Sequence, residues 1–185
     1  MTIRLNEDIA LKRIESTDAL SVFQIIDDNR ASFRIWLPFV DFTLSVQDTI
    51  NYINSIYEPK AANQELVFVV IYKQENVGLI GFKDTDKSNK KTEIGYWLSE
   101  KAQGKGIMTQ CVQYLIDCAF EVLDINRIQI KCAVKNSKSL AIPERLGFKL
   151  EGVERDGELL VDNIFTDLNV YSLIKRSDEI NPFVF

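Results

Sequence analysis

Two hydrophobic rhythms alternate along this chain. Across residues 65–73 (ELVFVVIYK) β-branched and aromatic residues follow one another almost without a break, as in a strand buried on both faces. From Met108 the apolar positions instead return in steps of four and three, through Val112, Leu115, Ala119 and Val122, which is one face of a helix. The same reading, run from the N-terminus, predicts a strand at 9–14 and a helix start at Ser16-Thr17-Asp18. That helix reaches Asp28, with Leu20 and Phe23 at helical spacing. Ser45 caps a second helix carrying Val46, Ile50, Ile53 and Tyr57.

The middle of the chain reads as a meander. Gln74-Glu75-Asn76 turns the buried strand into a partner at 77–83; the polar run 84–91 reads as a loop, and 92–99 (TEIGYWLS) as the next strand. Gln103-Gly104-Lys105-Gly106 opens the long helix. A strand at 127–134, a short helix at 137–146 followed by Gly147, and strands at 148–155 and 165–174 complete the series. The predicted order is β-α-α-β-β-β-α-β-α-β-β. It describes an α/β (α+β) domain with one mixed, mostly antiparallel sheet flanked by helices. The strand-helix-strand passage through 92–134 implies a parallel pair with a right-handed crossover. Residues 1–176 are expected to form this single domain, with 177–185 as a C-terminal tail.

Composition narrows the chemistry. The 185 residues are 46% hydrophobic and 26% charged, ordinary values for one globular domain. No stretch approaches the roughly 18 apolar residues of a membrane span, and the charged N-terminal segment lacks a signal-peptide core, so a cytoplasmic protein is expected. A net charge of −5 argues against a nucleic-acid binder, which would need basic residues to neutralise phosphates. It suits a cationic substrate such as a protonated amine, and equally serves plain solubility. Cys111, Cys118 and Cys132 are odd in number and lack CxxC spacing, so they read as small buried hydrophobes. The chain contains no histidine. Ser-His-Asp and Cys-His nucleophiles, His-based zinc sites and the commonest general base are thereby excluded, and no metal is expected.

The glycine loop carries the main chemical signal. A glycine turn opening a helix presents unpaired N–H groups and the positive end of the helix dipole to an anion; equally, it can be a turn and nothing more. The frame GxxxxGK[ST] is absent around Lys105, and GxGxxG lacks its third glycine, so neither nucleotide motif fits.

Gln103-Gly104-Lys105-Gly106-Ile107-Met108 resembles the pyrophosphate loop [QR]-x-x-G-x-[GA] of the GNAT N-acetyltransferase superfamily, departing from it at Met108. The preceding strand Glu93-Ile94-Gly95-Tyr96-Trp97-Leu98 is similar to the superfamily's, as are Asn136-Ser137-Lys138-Ser139 and the downstream Leu146-Gly147-Phe148. Asn29-Arg30, Trp36-Leu37-Pro38 and 141–148 (AIPERLGF) further resemble the RimJ/RimL-type ribosomal-protein N-acetyltransferases. The resemblance implies acetyl-CoA as co-substrate and direct transfer of acetyl to an amine. It implies that Gln103, Gly104, Lys105, Gly106, Ile107 and Met108 hold the pyrophosphate and that Thr109 adds a hydroxyl. Trp97 and Leu98 would lie along the pantetheine arm, between splayed strands.

Asn136 contacts the coenzyme in such enzymes, and Ser139 sits near the thioester sulfur. Where many members carry a tyrosine acid this chain has Pro143, which leaves Ser139 as the expected proton donor to the thiolate. Both residues would also serve as simple helix caps. Glu93 is the first candidate base and Glu158 the second, and either can instead be an ordinary paired carboxylate. Arg34 and Trp36 are the expected acceptor contacts, with core packing the alternative for Trp36.

The resemblance implies the N-terminal α-amine of a ribosomal protein as acceptor; with a pKa of about 7.7–8.0 roughly a tenth of it is unprotonated at pH 7, against under about a thousandth for lysine near 10.4, so it asks little of the enzyme. A small amine (a polyamine or aminoglycoside) is the alternative among enzymes. A catalytically silent coenzyme-binding module is the alternative outside them. Pairing of the C-terminal strands and the Phe-Val-Phe end would make a homo-oligomer.

Overall fold

The computed structural model describes residues 1–58 and 65–175. Within them eight strands form one sheet in the order β1-β2-β3-β4-β5-β6-β8-β7. Strands β1 (Thr2–Arg4), β2 (Ile9–Arg13), β3 (Leu66–Tyr72), β4 (Glu75–Asp86) and β5 (Lys91–Leu98) pair antiparallel in sequence order. Strand β6 (Arg127–Ala133) lies parallel to β5, and β8 (Phe165–Ile174) pairs antiparallel with both β6 and the edge strand β7 (Lys149–Leu159). The mixed, mostly antiparallel sheet and its parallel pair match the sequence reading.

Helices cover both faces because β-strand alternation sends apolar side chains to both. On one face α4 (Ile107–Glu121) buries Cys111, Val112, Leu115 and Ala119 against Ile80, Ile94, Ile128 and Ile130. On the other, α1 (Ala19–Asp28) and α3 (Val46–Tyr57) pack on Val67, Val69 and Leu79. Full burial of one such side chain as Leu115 contributes about 1.5–3 kcal/mol. Ser45 caps α3 as read: its hydroxyl accepts from the Asp48 N–H while the Asp48 carboxylate accepts from the Ser45 N–H. Two short elements, α2 (Arg30–Phe33) and α5 (Ser137–Arg145), flank the sheet's central gap.

Four details differ from the sequence reading. Strand β1 was not foreseen, because three residues with a single half-buried position leave no rhythm to detect. Half of the polar run 84–91 is strand, not loop: β4 continues to Asp86 and β5 starts at Lys91, leaving a turn at 87–90, since backbone pairing at this exposed end needs no apolar residue. Val122 does not join the buried face of α4; it lies past the helix end and is 74% exposed. Tyr57 is likewise exposed, and Thr49 and Ile56 take the buried positions of α3 beside Ile53. The expected tail, 177–185, lies outside the described residues.

Candidate active site

The sheet opens where the parallel pair β5–β6 ends. Strands β5 and β6 are paired at Lys91–Arg127, Thr92–Ile128 and Glu93–Gln129 and no further. Beyond Glu93, β5 stays bonded to β4 alone, so its other edge is bare. The Ser99 N–H donates to Val77 O at 2.8 Å, which sets the alternation: odd-numbered residues of β5 face β4, and Tyr96 and Leu98 turn their backbone groups into the fork. One of these, the Leu98 carbonyl, accepts from Gln103 Nε2 at 3.0 Å.

A cavity of about 1050 Å³ occupies the fork. Its far end is the glycine loop. Gly104 and Gly106 have φ of 74° and 72°, a left-handed conformation that disfavours side chains, and the space where a Cβ would stand is open at both. Gly106 is the N-cap of the fifteen-residue α4, so the first-turn amides of Ile107, Met108 and Thr109 have no acceptor inside the helix. Backbone and space therefore both fit a pyrophosphate.

The side of the cavity is the start of α5. Asn136 caps this helix, its Oδ1 accepting from the Ser139 N–H at 3.2 Å. The Ser139 hydroxyl lies 3.1 Å from Cys132 Sγ and 3.4 Å from Tyr96 Oη, and the Tyr96 hydroxyl donates to the Ser139 carbonyl at 3.1 Å. Burial raises the Tyr96 phenol well above its usual range and raises the Cys132 thiol as well. Both stay protonated and act as hydrogen-bond partners that fix the serine. The cavity's near end is aromatic: Phe33, Trp36 and Trp97 line it, with Phe33 and Trp97 edge to face at 5.3 Å.

Of the residues singled out in the sequence, Trp36, Trp97, Leu98, Gln103, Gly104, Gly106, Ile107, Met108, Thr109, Asn136 and Ser139 surround this one cavity. Met108, the departure from the loop pattern, is buried in the α4 core. Four residues are placed elsewhere. Lys105 folds back, its Nζ donating to Lys101 O at 2.7 Å and lying over the Tyr72 ring. Arg34 does not line the cavity; its guanidinium is held by Asp41 at 2.9 Å and by Asp162 at 2.9 Å, which ties the aromatic segment to the β7–β8 connection.

Glu93 and Glu158 also lie off the lining, on the sheet face shared with Trp97. Glu93 is buried and bonded to Lys83 Nζ at 2.8 Å. Burial raises the Glu158 carboxyl above its ordinary value; Lys83 opposes the rise and Glu93 adds to it.

Sequence reasoning missed Tyr96 and Cys132. Alternation in EIGYWL, which sets Tyr96 opposite Glu93 and Trp97, was the available signal for the first. It also missed Lys138, which donates to Gln103 Oε1 at 2.8 Å, and Arg145, which donates to Thr109 Oγ1 at 3.0 Å. Both are basic residues of α5 steadying the loop across the cavity.

Comparison with known proteins is consistent throughout the chain. The family described as "Acetyltransferase (GNAT) domain" matches residues 8–149. The "Putative ribosomal N-acetyltransferase YdaF" of Bacillus subtilis is 37% identical over 179 residues, covering 96% of this chain and 97% of that one. The ribosomal-protein-serine acetyltransferase of Escherichia coli is 31% identical over 173 residues, covering 94% and 96%. A solved structure of the ribosomal alpha-N-protein acetyltransferase RimL in complex with coenzyme A superposes with a TM-score of 0.87. Its identity to this chain is 27%, and 94% of this chain and 98% of that one are covered.

Proposed function

The chain belongs to the GNAT acetyltransferase family and is an N-acetyltransferase; on that premise we propose that it acetylates the N-terminal α-amine of a ribosomal protein in the cytoplasm. The observation that carries the chemistry is the fork between β5 and β6, with the α4 N-terminus at one end and a fixed serine hydroxyl at its side. The acceptor class is supported by the ribosomal-protein enzymes among the relatives.

In this reading the loop amides and the dipole of α4 hold the coenzyme pyrophosphate. The Tyr96 and Leu98 backbone groups bond the pantetheine arm as a strand would, and a backbone N–H in the fork polarises the thioester carbonyl. The acceptor nitrogen attacks the carbonyl carbon. As the N–C bond forms and the C–S bond breaks, Ser139 gives its hydroxyl proton to the departing thiolate and regains one from water, while the ammonium proton leaves through water to a carboxylate. We take Glu158 ahead of Glu93 as that carboxylate, because Glu93 is committed to Lys83 while Glu158 has the raised pKa that suits a base. Phe33, Trp36 and Trp97 border the acceptor entrance. Self-association along the exposed β7 edge, where Leu150, Val153 and Leu159 are solvent-facing, belongs to the same reading.

Thiol release from acetyl-CoA, measured against ribosomal-protein N-terminal peptides, polyamines and aminoglycosides, tests it. Turnover confined to peptides is expected. Turnover confined to a polyamine or an aminoglycoside would replace the acceptor, and tight coenzyme binding with no turnover at all would favour a binding module.

A further inference from the structure

The face of the sheet beside the fork carries a cation of its own. From the mouth of the cavity, same-face residues of β5 run Trp97, Gly95, Glu93, each step about 7 Å. Gly95 has no side chain, and the space above it is taken by a neighbour: a Cβ there would meet Lys83 Cε at 3.5 Å and Cδ at 3.7 Å. Lys83, opposite Glu93 in the β4–β5 register, thus lays its stem across Gly95 and delivers its ammonium to Glu93 Oε1 at 2.8 Å.

Three further carboxylates share its field. Burial opposes the Lys83 charge, but Glu93, Asp84 and Glu158 more than restore it. Glu65 is raised by burial and by Asp84, and lowered by Lys83. Beyond Glu93, which binds it, this one lysine is coupled through charge to Glu65, Asp84 and Glu158.

An acidic face next to an acetyl-transfer site would draw in any polycation. We propose that Lys83 is a specificity-determining residue: a built-in ammonium that fills the seat a second amine of a polyamine would take, and so reserves the face for acceptors with a single cationic end. The proposal rests on the reading of this face as the acceptor side. A peptide α-amine brings one charge and finds Glu158 available. A polyamine brings a second or third charge along the same line and meets Lys83, and like charges brought together act as a filter against the wrong partner.

Lys83→Met keeps the stem over Gly95 and removes only the charge, and Lys83→Arg keeps a charge. Both are compared with the wild-type chain by kcat/KM for an N-terminal ribosomal peptide and for spermidine, and by calorimetric Kd of spermidine on the coenzyme-loaded protein. The ratio of the two kcat/KM values cancels any change in the base that serves both acceptors. In Lys83→Met the ratio should shift toward spermidine on the order of tenfold, with spermidine Kd tightening to match, while Lys83→Arg stays near wild type. An unmoved ratio together with an unmoved Kd overturns the role of Lys83 and leaves the peptide acceptor standing. Tightened spermidine binding in Lys83→Met, with no turnover of the peptide by any form, upholds the role of Lys83 and removes the peptide acceptor.

Discussion

At the residue scale, the site depends on groups that hold other groups still. Ser139 sits among Asn136, Cys132 and Tyr96, and its proposed duty is to protonate a thiolate. Ser139→Ala should therefore lower kcat on the true acceptor by about 10²-fold or more, the range for a lost general acid, while calorimetry finds acetyl-CoA affinity nearly intact. An unchanged rate would reduce Ser139 to part of the helix start. Proton inventory gives a second expectation. An α-amine must lose a proton, so log(kcat/KM) should climb with slope one below its pKa of about 8. If Glu158 is the base, the slope steepens to two below the pKa of that carboxyl, which burial holds above the usual 4.5. Removing the positive charge in Lys83→Met moves this break to higher pH. Removing the negative charge in Glu93→Gln moves it to lower pH. A break that answers to neither substitution would take Glu158 out of the mechanism.

At the scale of elements, what the sequence revealed depended on how the signal was carried. The β3 run, the α4 stripe and the Ser45 cap were readable because each is written in consecutive residues with a period. The glycine loop was readable as a turn opening a helix, and its phosphate role came from the family resemblance. Gly106→Asp tests it: a side chain at φ 72° strains the N-cap, and a carboxylate at the positive end of α4 repels phosphate. A loss of acetyl-CoA affinity of at least about 100-fold by calorimetry is expected; unchanged affinity would dissolve the loop assignment. What stayed hidden were relations across the chain. Nothing local says that Tyr96 meets Ser139, forty-three residues on, or that Arg34 is bonded to Asp162 across the chain. The sequence ranked Glu93 ahead of Glu158 as the base, and it could not show that Glu93 is bonded to Lys83 while burial raises Glu158.

At the scale of the molecule, the fold is a sheet whose two central strands part after three residue pairs. Strand β5 belongs to an antiparallel half on one side and touches the rest of the sheet through three parallel pairs on the other, so the cavity lies at the seam between two well-paired halves. The helices lock each half separately, α1 and α3 over the first and α5 beside the second, while α4 spans the break and packs on residues of both. At its aromatic end, the proposed acceptor entrance, the seam is crossed by Arg34, whose guanidinium joins Asp41 and Asp162, the latter 62% exposed on its side chain. An ion pair so open to solvent weakens as dissolved salt screens it. Ionic strength thereby becomes a lever on the entrance: in the wild-type chain the acceptor KM should vary with added salt while acetyl-CoA affinity varies less. In Asp162→Asn the KM should start near its high-salt value and hardly move. The latch across the seam would then be an ion-sensitive hinge, and the same chain would present a tighter doorway in dilute buffer than in the crowded electrolyte of a cell.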